Sequence, residues 1–172
     1  MRKVSREMAA EWALKEVFAK APYITVSMVT PDGEPYAVPL SLAMTDDKTF
    51  YFHCALEGKK CDIWASNPAV WLSAVSRCKP VVGPKDGSFT LEFRSAMAKG
   101  VVELVTDRDE QIKGLKAVSE RFLPNHMDAF DAAVERSLSH TLVYRITLTE
   151  PPVGKRKQYD SNGDELKYGR ME

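Results

Sequence analysis

Gly58-Lys59-Lys60 is where position and chemistry first coincide in this sequence. The tripeptide follows a strand-like run, Thr49-Phe50-Tyr51-Phe52-His53-Cys54, and opens a segment, residues 57–66, that reads as a short helix closed at Asn67-Pro68. Free backbone N–H groups and the helix dipole favour an anion at such a start, and two ammonium groups add charge. A phosphate suits that spacing, and a solvated pair of lysines is the competing reading. His53 lies in the apolar strand just before, where a histidine is either a hydrogen-bonded core residue or a group doing proton work near neutral pH. Arg94-Ser95 interrupts another apolar run; a buried arginine there needs an anionic or carbonyl partner, whereas an edge arginine faces solvent. Lys155-Arg156-Lys157 reads as a solvated basic tail, with a contribution to an anionic pocket as the alternative.

The cysteines exclude more than they support. Cys54, Cys61 and Cys78 are separated by six and sixteen residues, which is not a C-x-x-C zinc pattern. His53 and Cys54 are adjacent on a strand and point to opposite faces, so no metal is expected, and the thiols read as small buried hydrophobes. Neither G-x-G-x-x-G nor G-x-x-x-x-G-K-[ST] occurs.

The elements that must hold these groups follow from periodicity. Residues 5–19 read as an amphipathic helix capped by Ser5 and stopped before Pro22. Residues 23–29 read as a strand, and Pro31-Asp32-Gly33 as a turn. Tyr36, Val38, Leu40, Leu42 and Met44 then alternate with Ala37, Pro39, Ser41 and Ala43, giving one large apolar face and one small one. Small side chains leave room for a flat ligand. Pro39 lacks an N–H, so it marks an edge, a bulge or a ligand contact. Further strands are expected at residues 69–76, 88–105 (with a bulge at Gly100) and 141–149, a Pro/Gly-rich loop at 78–87, and helices at 107–122 and 127–137. About six strands in hairpin-like succession with flanking helices predict a mainly β protein with α, a Greek-key barrel rather than a doubly wound sheet.

With 172 residues the chain fits a single domain, residues 1–172, ending in a polar tail from about residue 153. Hydrophobic residues make up 44%, charged residues 28%, and the net charge is zero, which disfavours a nucleic-acid role. No signal-peptide pattern, membrane-spanning run or disulfide framework is apparent, so a cytoplasmic protein is expected.

Together these motifs resemble one family. Gly33-Glu34-Pro35-Tyr36-Ala37-Val38-Pro39-Leu40-Ser41 is similar to the G-x-P-Y-x-V-P-[LV] strand of the pyridoxamine-phosphate-oxidase-like split barrels. Tyr51-Phe52-His53-Cys54-Ala55 with Glu57-Gly58-Lys59-Lys60, Asn67-Pro68-Ala69-Val70 and Phe93-Arg94-Ser95 resemble its Y-F-H-x-A-x-x-G-x-K, N-P-x-V and Y-R-S segments, with Phe in place of Tyr. Residues 119–124 and Gly154-Lys155 resemble the nitroimidazole-resistance branch.

The resemblance implies a split β-barrel that dimerises with flavin mononucleotide (FMN) at the interface. It implies Val38, Pro39, Leu40 and Ser41 beside the flavin ring, His53, Cys54 and Ala55 along the ring and ribityl chain, and Lys59 and Lys60 on the phosphate. Arg94 and Ser95 reach the flavin across the interface, and His53 contacts flavin or substrate as the candidate catalytic group. The R-L-A-P-like ending of the vitamin B6 oxidases is not matched, which points away from pyridoxamine phosphate. The expected activity is an FMN-dependent oxidoreductase passing electrons from NAD(P)H to a small nitroaromatic or quinone-like acceptor. The alternatives are a flavin or haem carrier or sensor, with His53 or His140 as an axial ligand, and a barrel with no cofactor.

Overall fold

The computed structural model describes residues 3–82 and 89–167. Its amino-terminal helix starts later than Ser5. Residues Val4–Arg6 form a 3-10 turn and Glu7–Met8 a short strand, β1. Helix α1 runs Ala10–Ala13 and widens into a π turn over Leu14–Phe18. The cause lies at the other end of the chain. Residues expected as a polar tail form strand β9, Val153–Lys157, which pairs Glu7 with Lys155 and Met8 with Gly154. Backbone committed to that ladder cannot also be helical. A Cβ on Gly154 would lie 2.8 Å from Ala13 Cβ and 2.8 Å from Met8 Cε, so only glycine lets α1 sit this close. Gly154→Val is expected to destabilise the protein by about 1–3 kcal/mol, readable by urea unfolding.

The other strands are β2 (Ile24–Val29), β3 (Pro35–Leu40), β4 (Ala43–Met44), β5 (Thr49–Cys54), β6 (Ala69–Val82), β7 (Phe89–Leu104) and β8 (Leu142–Leu148). Helices α2 (Lys59–Ser66), α3 (Arg108–Phe122) and α4 (Phe130–Ser137) flank them; α3 is capped by the Asp107 carboxylate accepting from the Glu110 N–H, and Pro124–Ala129 is a 3-10 turn. Among the described residues the sheet has nine strands, not about six: seven in the order β3-β2-β6-β7-β8-β5-β4, with β9 paired to β7 and β1 to β9, all pairings antiparallel.

The expected strand over residues 36–44 is divided, and the division closes the barrel. β3 pairs with β2 at one edge of the sheet and β4 with β5 at the other, so one piece of chain bridges both edges. Between them the Leu42 side chain is buried, and its carbonyl accepts from Arg121 Nη1 at 2.6 Å. A side-chain donor there replaces a ladder partner. Pro39 sits on the edge strand opposite Thr25, where its missing N–H costs nothing to the sheet. The β2–β3 turn bears out its chemistry: Gly33 has φ +91° and Thr30 Oγ1 donates to Asp32.

The core joins Leu14, Val17 and Phe18 of the first helix to Ile24, Val26, Leu42, Phe50, Phe52, Leu72 and Ile146. A second cluster, with Tyr51, Leu115, Val134 and Val143, seats α3 and α4.

Strands β6 and β7 exceed their expected lengths. Residues 78–82, expected in a loop, pair with β7, while 83–88 lie outside the described residues. The irregularity falls between Val75 and Arg77, not at Gly100. Gly100 answers to close approach: its Cβ would stand 2.8 Å from Ile146 Cγ2 and 3.1 Å from the Thr147 carbonyl oxygen. One edge of β7 serves two strands, β9 along Phe93–Met97 and β8 along Gly100–Leu104.

Beyond β9, Arg6 grips Glu165 in a bidentate pair, Nε–Oε1 2.5 Å and Nη2–Oε2 2.6 Å. That hydrogen bonding holds the Glu165 carboxyl down to about 2, from an ordinary 4.5. Its contribution is therefore present above about pH 4.5 and lost as pH falls toward 2. Hydrogen exchange of residues 158–167 is expected to accelerate across that window before the barrel opens; uniform protection through it would refute the assignment. No helix among the described residues is long and apolar enough to cross a membrane.

Candidate functional site

The start of α2 carries the densest chemistry. Gly58 caps the helix without a side-chain hydrogen bond, and its φ of +151° admits glycine in preference to larger residues. N–H groups in a first turn have no partner inside their own helix and point outward. The two lysines diverge. Lys59 is exposed, with its Nζ 4.9 Å from the centre of the Tyr36 ring and close enough to Asp32 to help lower that carboxyl's pKa. Lys60 is half-buried and stays at the cap, its Nζ 3.7 Å from where a Gly58 Cβ would stand and hydrogen-bonded to the Cys54 thiol. The structure thus brings Gly58, Lys60 and Cys54 together and turns Lys59 toward the β2–β3 turn.

Cys54 ends β5 on its inner side, with Sγ 3.8 Å from Cys61 Sγ in the first turn of α2. Burial, then the neighbouring Cys61, pushes the Cys54 thiol up to about 11. The Tyr144 hydroxyl lies against Cys61, and burial raises its pKa far above the ordinary 10. Tyr144 in turn stacks on Phe52 at 5.4 Å and meets Trp64 edge-on at 5.2 Å. Cys78 is exposed rather than a buried hydrophobe, because it lies on the extension of β6 beyond the core.

His53 is not a core histidine. It alternates to the outer side of β5 and is exposed, yet the protein around it lowers the imidazole pKa below its ordinary 6.5 through desolvation. Ala55 follows, also exposed. Extending the β4–β5 register by two residues sets Ser41 level with His53. Val38 and Leu40 point inward against the core, while Ala37, Pro39 and Ser41 are exposed. The small face therefore looks out on the same side of the chain as His53.

Arg94 and Ser95 part company across β7. Ser95 faces outward between Val75 and Lys155. Arg94 faces inward, where its Nη1 donates to Glu16 Oε2 at 2.6 Å. The π turn in the first helix presents that glutamate, whose own carbonyl accepts from Ser76 Oγ at 2.5 Å. Arg94 also lies in register with Arg77 and Arg156, and Glu16 and Glu92 pair with Arg94 and Arg77. Arg156 is buried on β9, which corrects the solvated-tail reading of the basic run.

Among the described residues, one sheet face is uncovered. Pro39, Thr25, Ser73, Met97 and Val153 form one row of partners across five strands, and Ala37, Ser27, Trp71 and Lys99 form another. Trp71 is 44% exposed, Val75 and Met97 49%. Sequence patterning named Pro39 here but missed Trp71 and Met97, whose outward alternation was visible on their strands without any sign of their exposure.

A family model described as pyridoxamine 5'-phosphate oxidase matches residues 12–154. This chain belongs to that family. The pyridoxamine 5'-phosphate oxidase match spans the barrel from the first helix to the start of β9, and the split barrel with flanking helices is the family architecture. No curated protein sequence matches the chain. Solved structures share the fold. A candidate 5-nitroimidazole antibiotic resistance protein from Bacteroides thetaiotaomicron is 23% identical, with TM-score 0.71, covering 85% of this chain and 82% of that one. The FAD and heme binding protein from Mycobacterium smegmatis is 20% identical, with TM-score 0.75, covering 88% and 73%. The flavocytochrome Anf3 from Azotobacter vinelandii is 18% identical, with TM-score 0.71, covering 90% and 68%.

Proposed function

We propose that this protein is a cytoplasmic, homodimeric oxidoreductase that binds FMN and passes electrons from NAD(P)H to a small nitroaromatic or quinone-like acceptor. The observation that carries the reading is the cap of α2, where Gly58 and the half-buried Lys60 offer backbone N–H groups and one ammonium to a phosphate. A phosphate held there places the rest of the cofactor near the ends of β3 and β5. Pro39, Ser41, His53 and Ala55 are small or exposed at those ends, so the residues present fit a flat ring. When bound, the flavin supplies the hydride and electron chemistry. The chain's own residues bind and orient it and hold a proton at His53. Lys59 and Arg94 are expected contacts that this geometry supports less, since Tyr36 and Glu16 engage them, and the Val38, Leu40 and Cys54 side chains pack inward against the core.

The uncovered face is the expected dimer surface. Trp71, Val75, Met97 and Val153 give it apolar area, and Ser95 and Lys155 lie within it, consistent with a contribution to a cofactor held across two subunits. Light scattering is expected to report a dimer; a monomer at micromolar concentration would remove that part of the reading.

The visible spectrum tests the whole. FMN-reconstituted protein should show oxidised-flavin bands, bleach anaerobically with NAD(P)H and recover with a nitroimidazole. A colourless protein that cannot be reconstituted refutes the proposal. His53→Ala should retain FMN and lose at least about tenfold in turnover if the imidazole donates a proton. Wild-type turnover should then decline as pH rises through a value below 6.5, because protonated imidazole is the active form. The second reading is a haem carrier. It draws on the exposed, largely neutral His53 and on the heme named in the M. smegmatis relative, and a Soret band would favour it.

A further inference from the structure

We infer that Cys54 and Cys61 form a reversible dithiol–disulfide couple that spans the cap of α2. Their sulfurs are in contact at 3.8 Å, one at the end of β5 and the other in the first turn of the helix. A disulfide needs the sulfurs at about 2 Å, so closure requires a movement of under 2 Å. Between the two elements, residues 55–58 lie outside strand and helix and hold the positive-φ Gly58, so they can supply that movement. Cys78 stands apart on β6, exposed, and takes no part.

The neighbours assign unequal roles. Cys54 is half-buried with its thiol pKa near 11, so it is rarely ionised and does not begin the exchange. Cys61 does, against a low-molecular-weight disulfide such as oxidised glutathione. Cys61 loses its proton to solvent, its sulfur attacks one glutathione sulfur, the glutathione S–S bond breaks, and one glutathione thiolate leaves. The Cys54 thiol then gives up its proton as it attacks Cys61 Sγ. The mixed disulfide breaks and the second glutathione departs. Two protein thiols are oxidised and one glutathione disulfide is reduced to two thiols. The Lys60 ammonium already hydrogen-bonds Cys54 and favours its thiolate during the second attack. The Tyr144 hydroxyl hydrogen-bonds Cys61 beside it.

The linked loop carries Gly58 and Lys60, so the state of the couple sets the spacing of the cap. This consequence for cofactor retention rests on the function proposed above; the disulfide chemistry does not. The test uses Cys78→Ser protein incubated with oxidised glutathione. Both remaining thiols should disappear, the mass should fall by two hydrogens with no glutathione retained, and dithiothreitol should restore the original state. In wild-type protein, tryptic cleavage after Lys59 or Lys60 should release two peptides joined through Cys54 and Cys61. Two surviving thiols, or a lasting glutathione adduct on either cysteine, would overturn the couple. A change of about threefold or more in FMN affinity on oxidation supports control of the cap. An unchanged affinity with the disulfide formed overturns that control and leaves the FMN reading itself intact.

Discussion

Replacing Arg121 with methionine should lower stability by about 3 kcal/mol, a fall in Tm on the order of 10 °C for a chain of this size. The guanidinium donates to three backbone carbonyls from two places in the chain: Leu42 at 2.6 Å, Phe18 at 2.9 Å and Ala21 at 2.7 Å. Leu42, Phe18 and Ala21 are all buried, so their oxygens have little water to turn to once the donor is gone. Methionine preserves most of the apolar stem and isolates the lost hydrogen bonds. The same side chain ties α3 to the end of the first helix and to the break between β3 and β4, so its loss should also loosen barrel closure. Arg121→Lys should recover only part of the loss, because one ammonium cannot reach all three oxygens in the fork geometry of arginine. A change below about 1 kcal/mol in urea unfolding would mean that water serves these carbonyls instead.

Lys60→Ala should weaken FMN binding between about tenfold and a hundredfold, the range expected for one charge-assisted hydrogen bond to phosphate. Riboflavin, which lacks the phosphate, should bind both proteins equally. That contrast separates loss of the phosphate contact from general damage to the cap. Lys60→Arg should restore most of the affinity. Lys59→Ala should have a smaller effect, because Lys59 lies over the Tyr36 ring rather than at the cap. Equal FMN affinity for wild type and Lys60→Ala would remove the phosphate assignment. Isothermal titration at two salt concentrations checks the sign, since an ionic contact weakens with screening.

The barrel was legible in the sequence where patterning is local. The strand at Thr49–Cys54, the turn at Gly33, the capped helix after Asp107 and the alternation from Tyr36 to Met44 each carry their own signal within a few residues. What was not legible depends on partners far along the chain. Ser5 looked like a cap because nothing nearby shows that Glu7 will pair with Lys155. Lys155-Arg156-Lys157 looked like a wet run because three successive charges resemble a tail until β7 is seen beside them. Gly100 suggested a bulge, whereas its need for glycine comes from Ile146 on the neighbouring strand. Within the site, the lysine pair was visible but its divergence was not, since Tyr36 and Cys54 draw the two ammonium groups apart only in the fold. Glu16 gave no signal at all, because a π turn that aims a carboxylate at Arg94 has no sequence signature.

The pairing of Glu7 and Met8 with β9 has a consequence for how the protein is made. A ribosome presents residues in order, and the partners of this two-residue strand appear about 150 residues later. Through most of synthesis Leu14, Val17 and Phe18 therefore lack part of the surface that finally covers their helix. Long-range contacts of this kind slow folding and leave apolar surface open to chaperones and to neighbouring nascent chains. Stalled chains released before β9 should be aggregation-prone, and extension through Lys157 should bring them into the soluble fraction.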